Sequence, residues 1–442
     1  MNDPISARIT PAGSSAIAVI RISGFKALEI VAGYFDNPDK LLKARSHSIV
    51  FGTFKDETGI PLDEVLISVF RAPHSYTGED VAEINCHGNP LIAERILGVL
   101  LLKSRLANPG EFTLRAYLNS KLDLSRAEAV NDLIQAGSSK ASMAALMQVK
   151  GYLSRHLESL LDELADARLR CELAIDFADQ DLPQIDTNDL RRRILEIRQR
   201  ACALYEEGSH ACKLREGIRI CLAGAPNAGK SSLFNAFLKQ NRAIVTPQPG
   251  TTRDYLEESF SLEGYPVVLL DTAGIRESQD SIEREGINRS LELMRGADII
   301  LYLYEEDAPD FPEELGNLQD KVIFAASKAD MRPLAKLPQG HIPVSALSPD
   351  GLKLISKSIL ERMQMPNNIL ERPMVTNARH LAALQRSIAA LDMALGALDM
   401  DAGFEFVASD LIQASSTLED ILGVVPTEDL LGRIFENFCI GK

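Results

Sequence analysis

Five short elements follow one another in fixed order between residues 224 and 347. They are Gly224-Ala-Pro-Asn-Ala-Gly229-Lys230-Ser231, Gly250-Thr-Thr-Arg-Asp254, Asp271-Thr-Ala-Gly274, Ser327-Lys-Ala-Asp330 and Ser345-Ala-Leu347. Each falls between a predicted strand and a predicted helix, which restricts this stretch to a guanine-nucleotide switch on an α/β sheet. The first element fits G-x4-G-K-S, the phosphate-cradling loop. Before it, Ile218-Arg-Ile-Cys-Leu-Ala223 reads as a buried strand; after it, Ser232 to Leu238 reads as a helix. Glycines let backbone amides approach phosphate, and the helix start presents its positive dipole end. Asn227, Ala228, Gly229, Lys230, Ser231 and Ser232 are therefore expected to contact GTP. Lys230 is assigned to the β- and γ-phosphates, and the Ser231 hydroxyl to magnesium.

Asp271 ends the apolar run Val267-Val-Leu-Leu270, which places a carboxylate near that metal. Thr272, Ala273 and Gly274 follow, and the Gly274 amide can meet the γ-phosphate. Thr251 and Thr252 lie in a polar loop, Gln240 to Asp254, where a threonine completes the magnesium shell only when γ-phosphate is present; Thr252 is the residue expected there. Asp330 can accept two hydrogen bonds from guanine and thereby selects GTP over ATP, with Lys328, Ser345 and Ala346 beside it. Ser327 stands where such loops usually carry Asn, which predicts looser base binding. Ile275 stands where many such enzymes place the water-orienting Gln. Another group must then position the water, and Glu283 is within reach by sequence, although spacing alone reads it as a solvated helix residue.

At 442 residues, 45% hydrophobic and 25% charged, the chain has room for two to four globular domains. A formal net charge of −15 opposes broad phosphate-backbone binding, so nucleic-acid contact requires a local basic patch or a partner. Six cysteines without a C-x-x-C pair fit a reducing compartment and no structural zinc. No stretch is read as a membrane span, and the amino-terminal segment carries neither a signal-peptide core nor an Arg-rich transit pattern, so a cytoplasmic location is expected. Residues 1–118 mix short strands with a helix from Pro90 to Arg105, an α+β pattern. Residues 119–212 are helical, with Leu157, Leu160, Leu161 and Leu164 on one stripe. Residues 216–372 alternate strands and helices, and 373–442 return to helical periodicity. The expected fold is multidomain: an α+β amino-terminal domain, a discontinuous α-helical domain, and an inserted Ras-like α/β P-loop domain.

The flanks carry further motifs. They are Arg21-Ile-Ser-Gly24, Ser75-Tyr-Thr-Gly-Glu-Asp80, Cys86-His-Gly88, Pro109-Gly-Glu-Phe-Thr-Leu-Arg-Ala116, Leu118-Asn-Ser-Lys-Leu-Asp-Leu124, Asp429-Leu-Leu-Gly-Arg433 and Phe438-Cys-Ile-Gly-Lys442. With them the chain resembles, over essentially its whole length, the tRNA-modification GTPases called MnmE or TrmE. The resemblance implies an amino-terminal domain that forms a homodimer and binds 5,10-methylene- or 5-formyl-tetrahydrofolate, with Arg21, Glu79, Lys121 and Lys442 at the folate-contact positions. It implies a potassium ion at Asn227, Thr246, Gln248 and Thr251, and Glu283 as the catalytic water-positioning group. It further implies work with an FAD-carrying partner, MnmG (GidA), in a heterotetramer-type complex on the wobble uridine of tRNA, and no membrane. Cys439 is assigned only proximity to the folate site. Two flanking departures stand out: Ala12-Gly-Ser-Ser-Ala16 replaces the usual Gly-Arg-Gly-Gly run, and Asn89 follows Cys-His-Gly. A ribosome-assembly GTPase and a nucleotide-gated dimeric scaffold are the rival readings.

Overall fold

The computed structural model describes residues 3–176, 186–224, 227–240, 256–271, 291–305, 313–331, 337–345, 347–365 and 374–442. The chain divides into two compact units, residues 1–131 with 422–442, and residues 132–421.

The first unit is built on strands β1 (Ile5–Arg8), β2 (Ile17–Ser23), β3 (Ser48–Lys55), β4 (Pro61–Phe70), β5 (Val81–His87) and β6 (Arg105–Leu106). They lie in the order β3-β4-β5-β2-β1-β6, antiparallel except for the parallel pair β1–β6. Alternation along β3 and β4 turns Val50, Phe54, Val65 and Ile67 into the core, where they meet Leu28 and Ile96 of the helices Ala27–Ala32 and Pro90–Leu101. The opposite face leaves Ile49, Phe51 and Leu66 exposed, with Phe51 directly across from Leu66. The helix expected to run to Arg105 stops at Leu101, because Arg105 and Leu106 pair with Ile5 and Ser6 instead. A two-residue strand has no periodicity for a sequence pattern to reveal. Asn89 caps the helix that follows it, its side chain accepting from the Leu91 amide. The end of the chain belongs to this unit. Phe435 and Phe438 pack with Leu124 and Ala127, and the Tyr117 hydroxyl donates to the Gly423 carbonyl at 2.5 Å.

In the second unit, the helices Tyr152–Asp176, Thr187–Ala211 and Ala378–Asp399 present buried stripes at helical spacing. Leu157, Leu160 and Leu164 are buried, and Leu161 is only half-buried at the edge of its stripe. Contrary to the sequence expectation, Ala378–Asp399 is long and apolar enough to cross a membrane, with a mean hydropathy of 1.3 over its best window. It nevertheless sinks Leu384, Leu391 and Ala394 into the interior. Its polar side pairs Asp392 with Arg198 and Asp399 with Arg191, so the apolar run has a core explanation.

The second sheet contains β7 (Ile218–Gly224), β8 (Leu256–Leu262), β9 (Tyr265–Asp271), β10 (Ile299–Tyr304), β11 (Val322–Ala326) and β12 (Ile342–Pro343), ordered β12-β11-β10-β7-β9-β8. All pairs are parallel except the β8–β9 hairpin. The helices Lys230–Gln240 and Pro349–Arg362 send Leu233, Phe237, Ile355 and Ile359 into the same core as Leu222, Leu269 and Leu301. The hairpin turn rests on the helix Ser139–Val149: the Lys140 amide donates to the Gly264 carbonyl at 3.0 Å, and its ammonium lies 3.7 Å from the Tyr265 ring centroid.

Candidate functional site

Chain order within the second sheet reverses direction at β7: β8 and β9 lie to one side, β10 to β12 to the other. A crevice opens outside the strand ends at such a point, and ligands of α/β sheets bind there. Gly224 ends β7 and Asp271 ends β9, with Leu222 and Asp271 in register on adjacent strands. The phosphate loop follows. Asn227 and Gly229 take positive φ values of 63° and 88°, and the helix begins at Lys230. Ala228 is buried while Asn227, Ser231 and Ser232 are exposed. The Lys230 ammonium folds across the loop and donates to the Gly224 carbonyl at 2.9 Å. A positive side chain and a helix N-terminus thus meet at the end of β7, a pairing that suits phosphate.

Asp271 is only 3% exposed. Its charge is felt on the next strand: burial first, and then Asp271, push the Cys221 thiol up to about 12, so that cysteine stays protonated. A buried carboxylate beside a phosphate cradle, with the Ser231 hydroxyl at the helix start, is a donor set of hard oxygens suited to magnesium.

The base loop follows β11. Ser327 is buried; its amide and hydroxyl both donate to the Tyr304 carbonyl, at 2.8 and 3.1 Å. The hydroxyl is thus spent inside the loop's own support. A Cβ placed on Gly229 would lie 3.8 Å from the Ser327 Cβ, so the phosphate and base loops are neighbours. Lys328 takes a positive φ of 55° and its ammonium pairs with Glu305 at 2.7 Å, a partner that no sequence pattern announced. Asp330 is exposed and the Ala329 amide donates to the Val344 carbonyl at 3.0 Å, which ties the loop to the segment carrying Ser345. Ser345 is buried, and its hydroxyl accepts from the Leu347 amide. Thr246, Gln248, Thr251, Thr252, Thr272, Ala273, Gly274, Ile275, Glu283 and Ala346 lie outside the described residues.

A second cluster forms in the first unit from four charged residues that are far apart in sequence. Arg21 and Ser23 share a face of β2. The Arg21 guanidinium bonds Glu83 at 2.9 and 2.7 Å, lies 5.3 Å from the Phe112 ring centroid, and donates to the Gly441 carbonyl at 3.4 Å. Lys442 follows directly, its carbonyl accepting from the Phe112 amide at 3.1 Å. Burial, and then the nearby Arg21, hold the Lys442 ammonium below the usual lysine range. Glu79 accepts from the Ser23 hydroxyl at 2.7 Å, and Lys121 sits against Gly78 with its ammonium on the Pro73 carbonyl at 2.8 Å. Arg21, Glu79, Lys121 and Lys442 therefore gather around one region. Sequence reasoning missed Ser23, Tyr76, Glu83 and Arg115 there. Arg115 lay inside the quoted Pro109–Ala116 motif, but its burial left no mark in that string.

Comparison with known proteins gives the family. A model described as the MnmE helical domain matches residues 124–439, and one described as the GTP-binding protein TrmE N-terminus matches residues 4–121. Similar solved structures include the G domain of the T. maritima FeoB iron transporter (25% identity, 33% of this chain and 98% of that one, TM-score 0.25). Another is a point variant of Aquifex aeolicus Era bound to GDP.AlF4- (26% identity, 40% of this chain and 67% of that one, TM-score 0.27). The tRNA modification GTPase MnmE of Aquifex aeolicus is 39% identical over 453 residues, covering 100% of both chains. That of Moorella thermoacetica is 41% identical over 466 residues, again 100% of both. With its amino-terminal unit, its helical segments and its phosphate-loop sheet all inside those matches, the chain belongs to the MnmE family of tRNA modification GTPases.

Proposed function

We propose that this GTPase acts on the wobble uridine of tRNA, installing an aminomethyl or carboxymethylaminomethyl group at carbon 5 together with an FAD-carrying MnmG (GidA) partner. The observation that carries the reading is the likeness, end to end, to curated tRNA modification GTPases. A tetrahydrofolate derivative supplies the one-carbon unit when bound. Arg21, Lys121 and Lys442 would meet its carboxylates and Glu79 the donors of its pterin, in keeping with the gathering of these four residues in the first unit. The exposed row of Ile49, Phe51 and Leu66 supports a homodimer, since such apolar patches mark contact surfaces. A cytoplasmic location and a division into domains at 1–118, 119–212, 216–372 and 373–442 belong to the same reading.

In the GTPase domain, Lys230 releases the Gly224 carbonyl and turns to the phosphates. Ser231 and Thr252 would hold magnesium, with Asp271 reaching it through water, and the ion would neutralise phosphate charge. Asn227, Thr246, Gln248 and Thr251 would hold potassium. Glu283 orients the attacking water, a role Ile275 cannot fill. GTP turnover is expected to rise severalfold in potassium over sodium; equal, negligible rates in both salts would leave a nucleotide-gated scaffold. Glu283→Ala should lower kcat by about a hundredfold or more, as loss of a general base does, with nucleotide affinity retained in a fluorescence titration. Mass spectrometry of wobble uridine from a deletion strain tests the tRNA assignment, and unaltered modification would return the protein to a ribosome-assembly role.

Asp330 is exposed at the end of a loop held by Tyr304 and Val344, free to accept from a base. Asp330→Asn should abolish the preference for guanine, at about 1.5–3 kcal/mol for each hydrogen bond to a charged group lost. Competition between GTP and XTP measures it, and undiminished GTP selectivity would show that the base binds elsewhere.

A further inference from the structure

Arg115 is among the largest fully buried side chains of the protein, and it stands on the helix Glu111–Leu118. Its guanidinium is shared among three carboxylate-bearing residues. Nη1 donates to the Asp3 carbonyl at 2.9 Å and to Glu79 Oε1 and Oε2 at 3.1 and 3.3 Å. Nη2 donates to Glu111 Oε1 at 3.0 Å and Asp3 Oδ1 at 3.3 Å. Arg105 closes the network from outside, on Glu111 and on Asp3 at 2.5 Å. Gly24, with φ +125°, directly follows β2 and lies against the guanidinium: a Cβ there would lie 3.2 Å from Arg115 Nη1 and 2.9 Å from the Pro4 Cα. The motif Arg21-Ile-Ser-Gly24 therefore supplies both a wall for Arg115 and, through Ser23, a second donor for Glu79.

Two features set Glu79 apart from the other two acids. Glu111 is closed in by both guanidinium groups, and Asp3 lies at the surface; only Glu79 has a firmly held carboxylate with an open side, 18% exposed. The network also sets two guanidinium groups, Arg105 and Arg115, against three carboxylates, Asp3, Glu79 and Glu111. A carboxylate has about four acceptor sites. Arg115 and Ser23 occupy the inner ones, so the outer edge is presented in a fixed plane.

We propose that Arg115 is the positioning residue for Glu79: it fixes the carboxylate plane so that its open edge accepts from a flat ligand with two adjacent N–H donors. The assignment of that ligand as a pterin rests on the folate reading above. The role requires the planar fork of arginine. A lysine keeps the charge but offers one ammonium, which cannot brace Asp3, Glu79 and Glu111 together.

Calorimetry with 5-formyl-tetrahydrofolate and with an analogue lacking the pterin 2-amino group tests this on the full-length protein. The wild type is expected to prefer the parent compound by tenfold or more. Arg115→Lys should bind the parent at least tenfold more weakly and reduce the preference to near unity, while Arg115→Lys combined with Glu79→Gln should bind no worse than Glu79→Gln alone. A retained preference, or losses that simply add, would overturn the proposal. Should Arg115→Lys not fold, Asp3→Ala removes one brace at the surface; it should erode the preference severalfold, and an unchanged ratio would overturn the claim. If the wild type binds no folate, the folate reading fails by itself. Crystal structures of ligand-free wild type and variant then decide the positioning role, which an unmoved Glu79 carboxylate would refute.

Discussion

Replacing Lys230 by Ala should weaken GTP binding by at least roughly a hundredfold and remove measurable turnover. The ammonium already lies on the Gly224 carbonyl at the end of β7, beside the proposed phosphate cradle. Two charge-assisted contacts at about 1.5–3 kcal/mol each give that loss. Folding should be little changed, because Lys230 is half-buried at a helix start and contributes nothing to the core. Titration with a fluorescent GTP analogue, alongside a thermal melt, provides the measurement. An affinity within threefold of wild type would mean that the cradle does not hold the triphosphate.

A larger structural effect is expected from Gly224→Ala. A Cβ at this position would lie 2.0 Å from the Leu303 carbonyl oxygen and 3.0 Å from its nitrogen, and the residue has φ +129°. Both neighbours are backbone on β10, paired in register with Gly224, so no side chain can move aside. The strands must separate at the mouth of the crevice, and the left-handed backbone adds about 1–2 kcal/mol. We expect destabilisation of about 3 kcal/mol or more, in the range of the severe overpacking mutations, with nucleotide binding lost as well. Urea unfolding followed by circular dichroism checks it; a midpoint equal to wild type would show that β7 and β10 do not close as described. The two variants separate causes, since Lys230→Ala removes chemistry from an intact cradle and Gly224→Ala removes the cradle.

Ser327 illustrates a departure that the structure makes intelligible. Its hydroxyl is engaged with the Tyr304 carbonyl, so its donor is spent within the base loop's own support. Looser base binding stays an expectation, now with a shorter side chain whose donor is already in use. Lys328 is held by Glu305 and Ala329 by Val344, which keeps Asp330 presented without help from residue 327.

The chain by itself determined the strand, the lysine at a helix start and the strand-end carboxylate of a GTPase sheet, since these are local requirements that one short string can satisfy. It also determined the helical stripes, because Leu157, Leu160 and Leu164 recur at the period of one helix face. Tertiary structure alone decided the rest. The pairing of Arg105–Leu106 with β1, the network of Arg115 with Asp3 and Glu79, and the return of Gly441 to Arg21 join residues about 36 to 420 positions apart. No local pattern encodes such contacts; they exist because burying a guanidinium or ending a sheet requires partners, and the fold supplies them from wherever the chain happens to return.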